Sequence, residues 1–405
     1  MQRRVEALRA DPNPLAASYS RFRVGERLLF TGHSHQAWPD VAREAQVRAF
    51  DDAAAEVDRK WSSAFEQADA VKAGFARLLD GGTGAIAPSE LVLAANTHEL
   101  LIRFLSALPI RETPRFVTTD GEFHSIRRQL QRLEEEGVEI VRIAAEDPHT
   151  IADRLCRAID DRTAAVLVST VLFRSGRIVP GLDRVAEVAR RHGVPLLVDT
   201  YHHLNVVPCD LHAAGLGDAW AVGGGYKYLQ LGEGSCFLRV PPDENRRPVI
   251  TGWFAEFEDL AAAPAGRVAY GRGAAAFVGA TYDPTSHYRA AAVFDFFVRR
   301  ELDPHLLRAI SQHQVGRLAN GFDALDLDPT VIARPAVALE ELAGFLTLRT
   351  PRAEAIHAGL RMRGVRTDFR GDSLRFGPAP YLSDRQIDDA MAQLREVVRE
   401  LERVS

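Results

Sequence analysis

The stretch from Pro195 to Gly234 constrains this chain more than any other. An apolar run, Val194–Val198, ends at Asp199, with Tyr201, His202 and His203 just beyond. A short all-apolar run after a polar helical segment reads as a strand of a parallel sheet covered on both faces. Ligands of such sheets sit beyond the carboxyl ends of the strands, where Asp199 falls. A second run, DAWAVGGGYKYLQLGEGSCFLRV, carries three glycines, Gly223–Gly225, and then Lys227 between Tyr226 and Tyr228. Glycine lets a backbone approach a ligand closely, and its flexibility is otherwise a cost.

A strand-tip carboxylate followed by a glycine-flanked lysine suits one cofactor. Pyridoxal 5′-phosphate needs a lysine for its Schiff base and a carboxylate against its pyridinium nitrogen, which keeps the ring an electron sink. The plainer alternative is an Asp helix cap after a strand and an unrelated surface lysine.

The rest of the chain supports an α/β frame. SELVLAANTHELLIRFLSAL predicts a strand at Leu91–Ala95, a turn at Asn96-Thr97 and an amphipathic helix. Such a turn exposes backbone N–H groups, an anion seat to which Thr97 adds a hydroxyl and His98 and Glu99 their amides. RFVTTD, VEIVRIA, TAAVLVSTV and VPLLVDT continue the alternation, each separated by a helical segment such as GLDRVAEVARRHG. Strand–helix alternation over this length predicts a right-handed parallel sheet. A single helix is expected over roughly Pro39–Leu79, a long helix near His287–Arg300, and a smaller α+β domain after it.

A chain of 405 residues buries a large core and divides into subdomains. Its net charge of −5 argues against nucleic acid and anionic membranes as partners. No run approaches a membrane span and the N-terminus has no apolar signal core. Cys156, Cys209 and Cys236 show no metal spacing, so no metal is expected, and thiols in a reducing cytoplasm are the default.

At GGGYKYLQLGEG, with the other motifs in order from about Leu28 to Tyr381, the chain resembles the fold-type I, class V aminotransferase superfamily, and within it the kynureninases. The resemblance implies an aspartate aminotransferase-like fold, with a mainly parallel seven-stranded sheet in a large domain and a smaller α+β domain. It implies an N-terminal segment, 1–45, on the small domain, a cofactor domain at 46–285 and a small domain at 286–405. Lys227 matches the Schiff-base lysine, Asp199 the carboxylate on the ring nitrogen and His202 its neighbour. Tyr226 matches a phosphate-contacting tyrosine that also serves as acid/base. Phe123, in GEFHS, matches the aromatic stacked on the ring, and Thr97 with the following amides, His98 included, the phosphate cradle. Trp253, in TGWFAEF, matches a tryptophan given across a dimer interface, and Arg375, in SLRFGPAPY, the binder of the substrate α-carboxylate. A forked guanidinium suits that carboxylate in two-point contact.

The departures concern the substrate's far end. Ile126 stands where the kynureninase pattern has an aspartate. Thr281, in GATYDPTS, replaces an asparagine and resembles a threonine that in other class V members reaches the partner's phosphate. The loop before the first long helix reads Gly32-His33-Ser34-His35-Gln36, which puts two imidazoles and a hydroxyl at the expected substrate mouth. The resemblance therefore implies an amino-acid substrate, a homodimer with shared sites, and hydrolytic Cβ–Cγ cleavage releasing alanine. The alternatives are a class V aminotransferase or a β-eliminating lyase acting on a different amino acid, or a protein that binds the cofactor without catalysis.

Overall fold

The structure, a computed structural model, describes residues 1–257, 260, 266 and 268–404. A short strand β1 (Leu28–Leu29) opens the sheet-forming part of the chain. The five runs read as strands follow as β2 (Leu91–Ala94), β3 (Arg115–Thr119), β4 (Glu139–Ile143), β5 (Ala165–Ser169) and β6 (Leu196–Asp199), and the run that carries Lys227 supplies β7 (Trp220–Gly224) and β8 (Cys236–Arg239). These seven form one sheet in the order β2-β8-β7-β6-β5-β3-β4. Strands β3 to β7 are parallel, and β8 runs antiparallel to both its neighbours.

Both faces of the sheet are apolar, which is why its strands read as continuous runs rather than alternations. Val166, Val168, Leu196 and Val198 point to one face, where they meet Ile151 and Leu155 and then Leu182 and Val185 of the helices Pro148–Ala158 and Leu182–Arg191. Ala165, Leu167, Leu197 and Val222 point to the other, against Leu100, Leu101 and Phe104 of the helix Thr97–Ser106 and Ile126 and Leu130 of the helix His124–Glu135. Each such buried side chain contributes about 1.5–3 kcal/mol. Both helix layers are therefore needed to hold the strands in place.

The chain runs from β3 outward to β4 and then returns to the other side of β3 as β5. That reversal opens a crevice at the carboxyl ends of β3 and β5, beside the tip of β6 at Asp199.

The helix Thr285–Arg299 leads into a smaller unit. There β9 (Leu346–Arg349), β10 (Val365–Arg366), β11 (Asp368–Arg370) and β12 (Ser373–Phe376) lie with the helices Pro304–Asp323, Ala353–Met362 and Asp384–Val404. An antiparallel sheet β11-β12-β9 sets Asp368 directly opposite Arg375. The N-terminal segment is stitched onto this unit: β1 pairs with β10, Thr31 bridges to Gly377, and Asn13 Nδ2 donates to the carbonyls of Pro380 and Leu382 at 2.9 and 3.3 Å. Among the described residues, no helix is long and apolar enough to cross a membrane.

The single helix expected over Pro39–Leu79 is instead two, Val41–Glu56 and Trp61–Leu79. Residues 54–59 are exposed, so no packing carries the helix past Glu56, and Val57 turns the chain with a φ of 46°.

Candidate active site

Strand β7 ends on glycines because the crevice leaves no room for side chains. A Cβ at Gly224 would stand 2.5 Å from both Cys236 Sγ and Tyr201 Oη, and one at Gly223 would stand 2.7 Å from the Phe237 ring. From this tip the chain turns Lys227 inward, where it is 4 % exposed. Its Nζ shares a 2.7 Å hydrogen bond with His202 Nε2 and lies 4.3 Å from the centroid of the Tyr201 ring and 5.1 Å from that of Phe123. Burial pushes the Lys227 ammonium down to about 7, although Asp199 pulls the other way. Burial also raises the Asp199 carboxyl, against the Tyr201 amide that donates to its Oδ1 at 2.8 Å and against the Lys227 charge. The amine and the carboxylate thus face each other within one crevice.

Tyrosine and histidine rings line the approach. The Tyr226 ring lies 5.7 Å from Lys227 Nζ and is packed between Tyr201 and His35, each with its centroid 4.9 Å away. Ser34 Oγ and His35 Nδ1 are 3.1 Å apart at the rim. Burial pushes the Tyr226 hydroxyl up to about 12, so it keeps its proton at neutral pH. His202 is held well below the usual imidazole range by burial and by Lys227, and its Nδ1 is buried without a partner among the described residues.

Arg375 is 3 % exposed and already half engaged. Its Nε and Nη2 donate to Asp368 Oδ1 and Oδ2 at 2.7 and 2.6 Å, and Nη1 donates to the Phe173 carbonyl at 2.6 Å. Of five N–H donors three are taken, which leaves one on each terminal nitrogen. Two donors on a fork are what a second carboxylate requires. His33 completes the support. It is fully buried, stacks on Phe345 with centroids 4.5 Å apart, and places Nε2 2.9 Å from Asp368 Oδ1. Burial pushes its imidazole down to about 4, so it donates to Asp368 as a neutral ring.

The helix Thr97–Ser106 begins at Asn96, whose Oδ1 accepts from the Glu99 amide at 3.0 Å. The anion seat is therefore smaller than expected. The Glu99 amide is taken, while Thr97 and His98 stand at the open first turn. A cavity of about 690 Å³ beside this turn is lined by Ala95, Glu99, Arg103 and Thr281, and not by Lys227 or Asp199. Trp253 lies elsewhere, 46 % exposed and stacked on Phe257 with ring centroids 5.5 Å apart. Within one chain the fold thus gathers Lys227, Asp199, His202, Tyr226, Phe123, Arg375, His33, Ser34 and His35. It leaves Thr281 and Trp253 outside that cluster.

Pyridoxal 5′-phosphate fits this donor set. A buried amine near neutrality, a carboxylate at a strand tip, flanking aromatic rings and an open helix N-terminus for a phosphate stand together. Three groups were not singled out from the sequence. Asp368 was hidden because only the β11–β12 register reveals that it faces Arg375, although the hairpin DFRGDSLRF carries that signal. Glu122, beside Phe123, is 1 % exposed and accepts from Thr119 Oγ1 and Ser169 Oγ at 2.6 Å each. Phe345 enters from β9's approach and has no local sequence signal.

Comparison with known proteins agrees with this geometry. A family model described as aminotransferase class-V matches residues 50–227, and one described as kynureninase C-terminal domain matches residues 307–394. A kynureninase of Deinococcus radiodurans is 28 % identical over 96 % of this chain and 95 % of its own length. One of Bacillus cereus is 26 % identical over 77 % and 74 %. Among solved structures, a C-DES mutant with glycine covalently linked to the PLP cofactor superposes with a TM-score of 0.80 at 17 % identity, over 95 % of this chain and 99 % of that one. An apo cysteine desulfurase from Thermococcus onnurineus gives 0.75 at 17 % identity, over 93 % and 95 %. The strand-tip carboxylate, the buried lysine and these matches together place the chain in the class V aminotransferase family of pyridoxal 5′-phosphate-dependent enzymes, with a kynureninase-type C-terminal domain.

Proposed function

We propose that this enzyme acts as the kynureninases do, cleaving the Cβ–Cγ bond of a γ-keto amino acid by addition of water and releasing alanine. One observation carries the proposal: a Lys227 amine held near neutrality by burial, 2.7 Å from a neutral imidazole and beside a tyrosine that keeps its proton. An amine of that kind exists in both protonation states at working pH, which suits a group that takes a proton and returns it.

Bound at Lys227, pyridoxal 5′-phosphate supplies the electron sink for a carbanion at the substrate Cα. Everything else falls to side chains. Asp199 would face the ring nitrogen and favour its protonated form, and Phe123 and Tyr201 would flank the ring. Thr97 and His98 would receive the phosphate at the helix N-terminus. The two remaining N–H groups of Arg375 take the α-carboxylate, and Asp368 and His33 fix the plane in which they point. Lys227 Nζ moves the proton at Cα, with His202 Nε2 to share it. The Tyr226 hydroxyl donates to the γ-oxygen as water adds there.

Sulfur uptake onto the protein is disfavoured by the cysteines themselves. Burial pushes the Cys209 and Cys236 thiols up to about 12, and Cys156 is also raised. A thiol kept protonated is a poor nucleophile.

The proposal includes a cytoplasmic homodimer. All three cysteines are free. Phe65, Trp253 and Phe257 are 37, 46 and 50 % exposed and form one aromatic face with Phe254 at the rim of the 690 Å³ cavity. A contiguous apolar face of this kind marks a contact surface.

Incubation of the holoenzyme with kynurenine or 3-hydroxykynurenine is the direct test. Alanine together with an anthranilate supports the proposal. Neither product, with the pyridoxamine form accumulating from amino donors, replaces it with transamination.

A further inference from the structure

At the outer end of the crevice stand three arginines, of which Arg127 and Arg174 meet no carboxylate among the described residues and Arg370 reaches only one that is shared. Phe123, whose ring faces Lys227, packs edge-on against Phe173 with centroids 5.3 Å apart. The Phe173 carbonyl is held by Arg375, and the next residue is Arg174, an exposed arginine whose guanidinium meets no carboxylate among the described residues. His124 closes the same corner, its ring 5.5 Å from Phe173. Arg127 donates to Gln131 at 3.3 Å and approaches His124 Nδ1 at 3.4 Å. Arg370 comes no nearer than 4.0 Å to Asp368, whose two oxygens Arg375 and His33 already use.

The backbone adds to this charge. Phe123 gives the helix His124–Glu135 no side-chain cap, and its first turn contains no acidic residue. The amides of His124, Ser125 and Ile126 therefore open toward the same corner with the positive end of the helix behind them. Ile126, on the same turn, points into the core and brings no charge to this corner. Burial holds His124 below the usual imidazole range, and the charges of Arg127, Arg370 and Arg174 add to that effect, so all three lie within electrostatic reach of one ring. Like charges gathered at a cleft mouth raise the local concentration of an anion, and they repel one another without it.

We propose that this mouth binds an anionic group at the far end of the substrate side chain, with Arg174 and Arg370 contacting it beside the open end of the helix His124–Glu135. The substrate class is then an amino acid whose α-carboxylate meets Arg375 and whose side chain ends in a carboxylate, sulfonate or phosphate. This rests on the assignment of Lys227 and Arg375 to an amino-acid site.

The test measures binding, not turnover. Matched pairs are titrated into the holoenzyme and read by the change in cofactor absorbance: aspartate with asparagine, cysteate with serine, and O-phosphoserine with serine. At least one acidic member is expected to bind about tenfold or more tightly than its neutral partner, as a charge-assisted contact provides. Raising the salt should shrink that ratio. The double variant Arg174→Gln/Arg370→Gln should bring it close to one and leave the neutral partner's affinity unchanged. The three pairs separate carboxylate, sulfonate and phosphate. Equal binding within every pair, or a parallel loss of acidic and neutral ligands in the variant, overturns the proposal. If the preference holds while kynurenine is untouched, only the assigned reaction fails. A spectrum that no amino acid moves overturns both.

Discussion

Replacing Glu122 with glutamine probes a carboxyl group that lies beneath the site. Glu122 is 1 % exposed at the crevice where β3 and β5 part. Its oxygens accept from Thr119 Oγ1 and Ser169 Oγ at 2.6 Å each and from the Ser169 amide at 3.2 Å. Those donors favour the anion, but burial is the larger effect, and the nearby Asp199 charge adds to it. The carboxyl is raised from 4.5 to about 7. The folded protein therefore binds the Glu122 proton more tightly than the unfolded chain does. Stability from this group is complete below pH 4.5, declines as pH rises toward 7 and is constant above. Integrated over that window the change is about 3 kcal/mol.

Glutamine keeps the size and one acceptor but has no proton to lose. Urea unfolding of the cofactor-free wild type and of Glu122→Gln, followed at several pH values from about 5 to 8, isolates the group by difference, because every other titration is common to both. The stability of the wild type relative to the variant should fall by about 3 kcal/mol across the window. A difference that does not change with pH refutes this account. It would mean that the three donors hold Glu122 as an anion throughout.

Four further outcomes follow from named contacts. Asp368→Leu leaves the buried Arg375 guanidinium without its counter-charge and should cost about 3–5 kcal/mol in denaturant unfolding. Arg375→Lys loses the planar fork and should raise KM about tenfold to a hundredfold with a smaller change in kcat, read by steady-state kinetics. Gly224→Ala puts a methyl 2.5 Å from Cys236 Sγ and Tyr201 Oη, and should cost about 1–3 kcal/mol and lower cofactor occupancy measured by absorbance. Asp199→Asn should stabilise the cofactor-free protein by about 1–2 kcal/mol while weakening retention of the cofactor on dialysis; a destabilised apoprotein would contradict the charge argument below.

The frame was legible because both faces of the sheet are apolar. VPLLVDT and TAAVLVSTV could only be strands covered on two sides, and each became one. Lys227 and Asp199 were legible for a related reason: a lysine behind three glycines and a carboxylate at the end of an apolar run sit where a parallel sheet opens. What the sequence concealed depends on register and on depth. Arg375 could be singled out, but the occupation of half its fork follows from the Asp368–Arg375 pairing across the β11–β12 hairpin. Glu122 looks like any polar residue before a helix until Thr119 and Ser169 are seen to close over it. The break at residues 57–60 escaped notice because helix propensity persists there while the packing that would sustain it does not. The cationic mouth joins residues 124, 127, 174 and 370, which no local window could bring together.

The charges of the crevice floor largely cancel, and the exception locates the chemistry. Arg375 and Asp368 neutralise each other through two hydrogen bonds. His33, at about 4, and His202, lower still than its usual range, are uncharged at neutral pH. Glu122 and Lys227 both titrate near 7, pushed there from opposite sides by the same desolvation. The Asp199 carboxylate has no such partner, for its one hydrogen bond among the described residues comes from the Tyr201 amide at 2.8 Å. A half-buried carboxylate satisfied only by an amide carries a desolvation cost. The Lys227 charge partly offsets that cost, but it is lost once the amine is deprotonated or covalently engaged. From then on the only cation that can settle Asp199 is one brought in from outside, directly above the strand tip. A protonated ring nitrogen meets that requirement, whereas a phosphate or a substrate carboxylate would worsen it. The Asp199 carboxylate would thus suit the cationic nitrogen of the cofactor ring, and the helix at Thr97 and the fork of Arg375 would suit its anions and the substrate's.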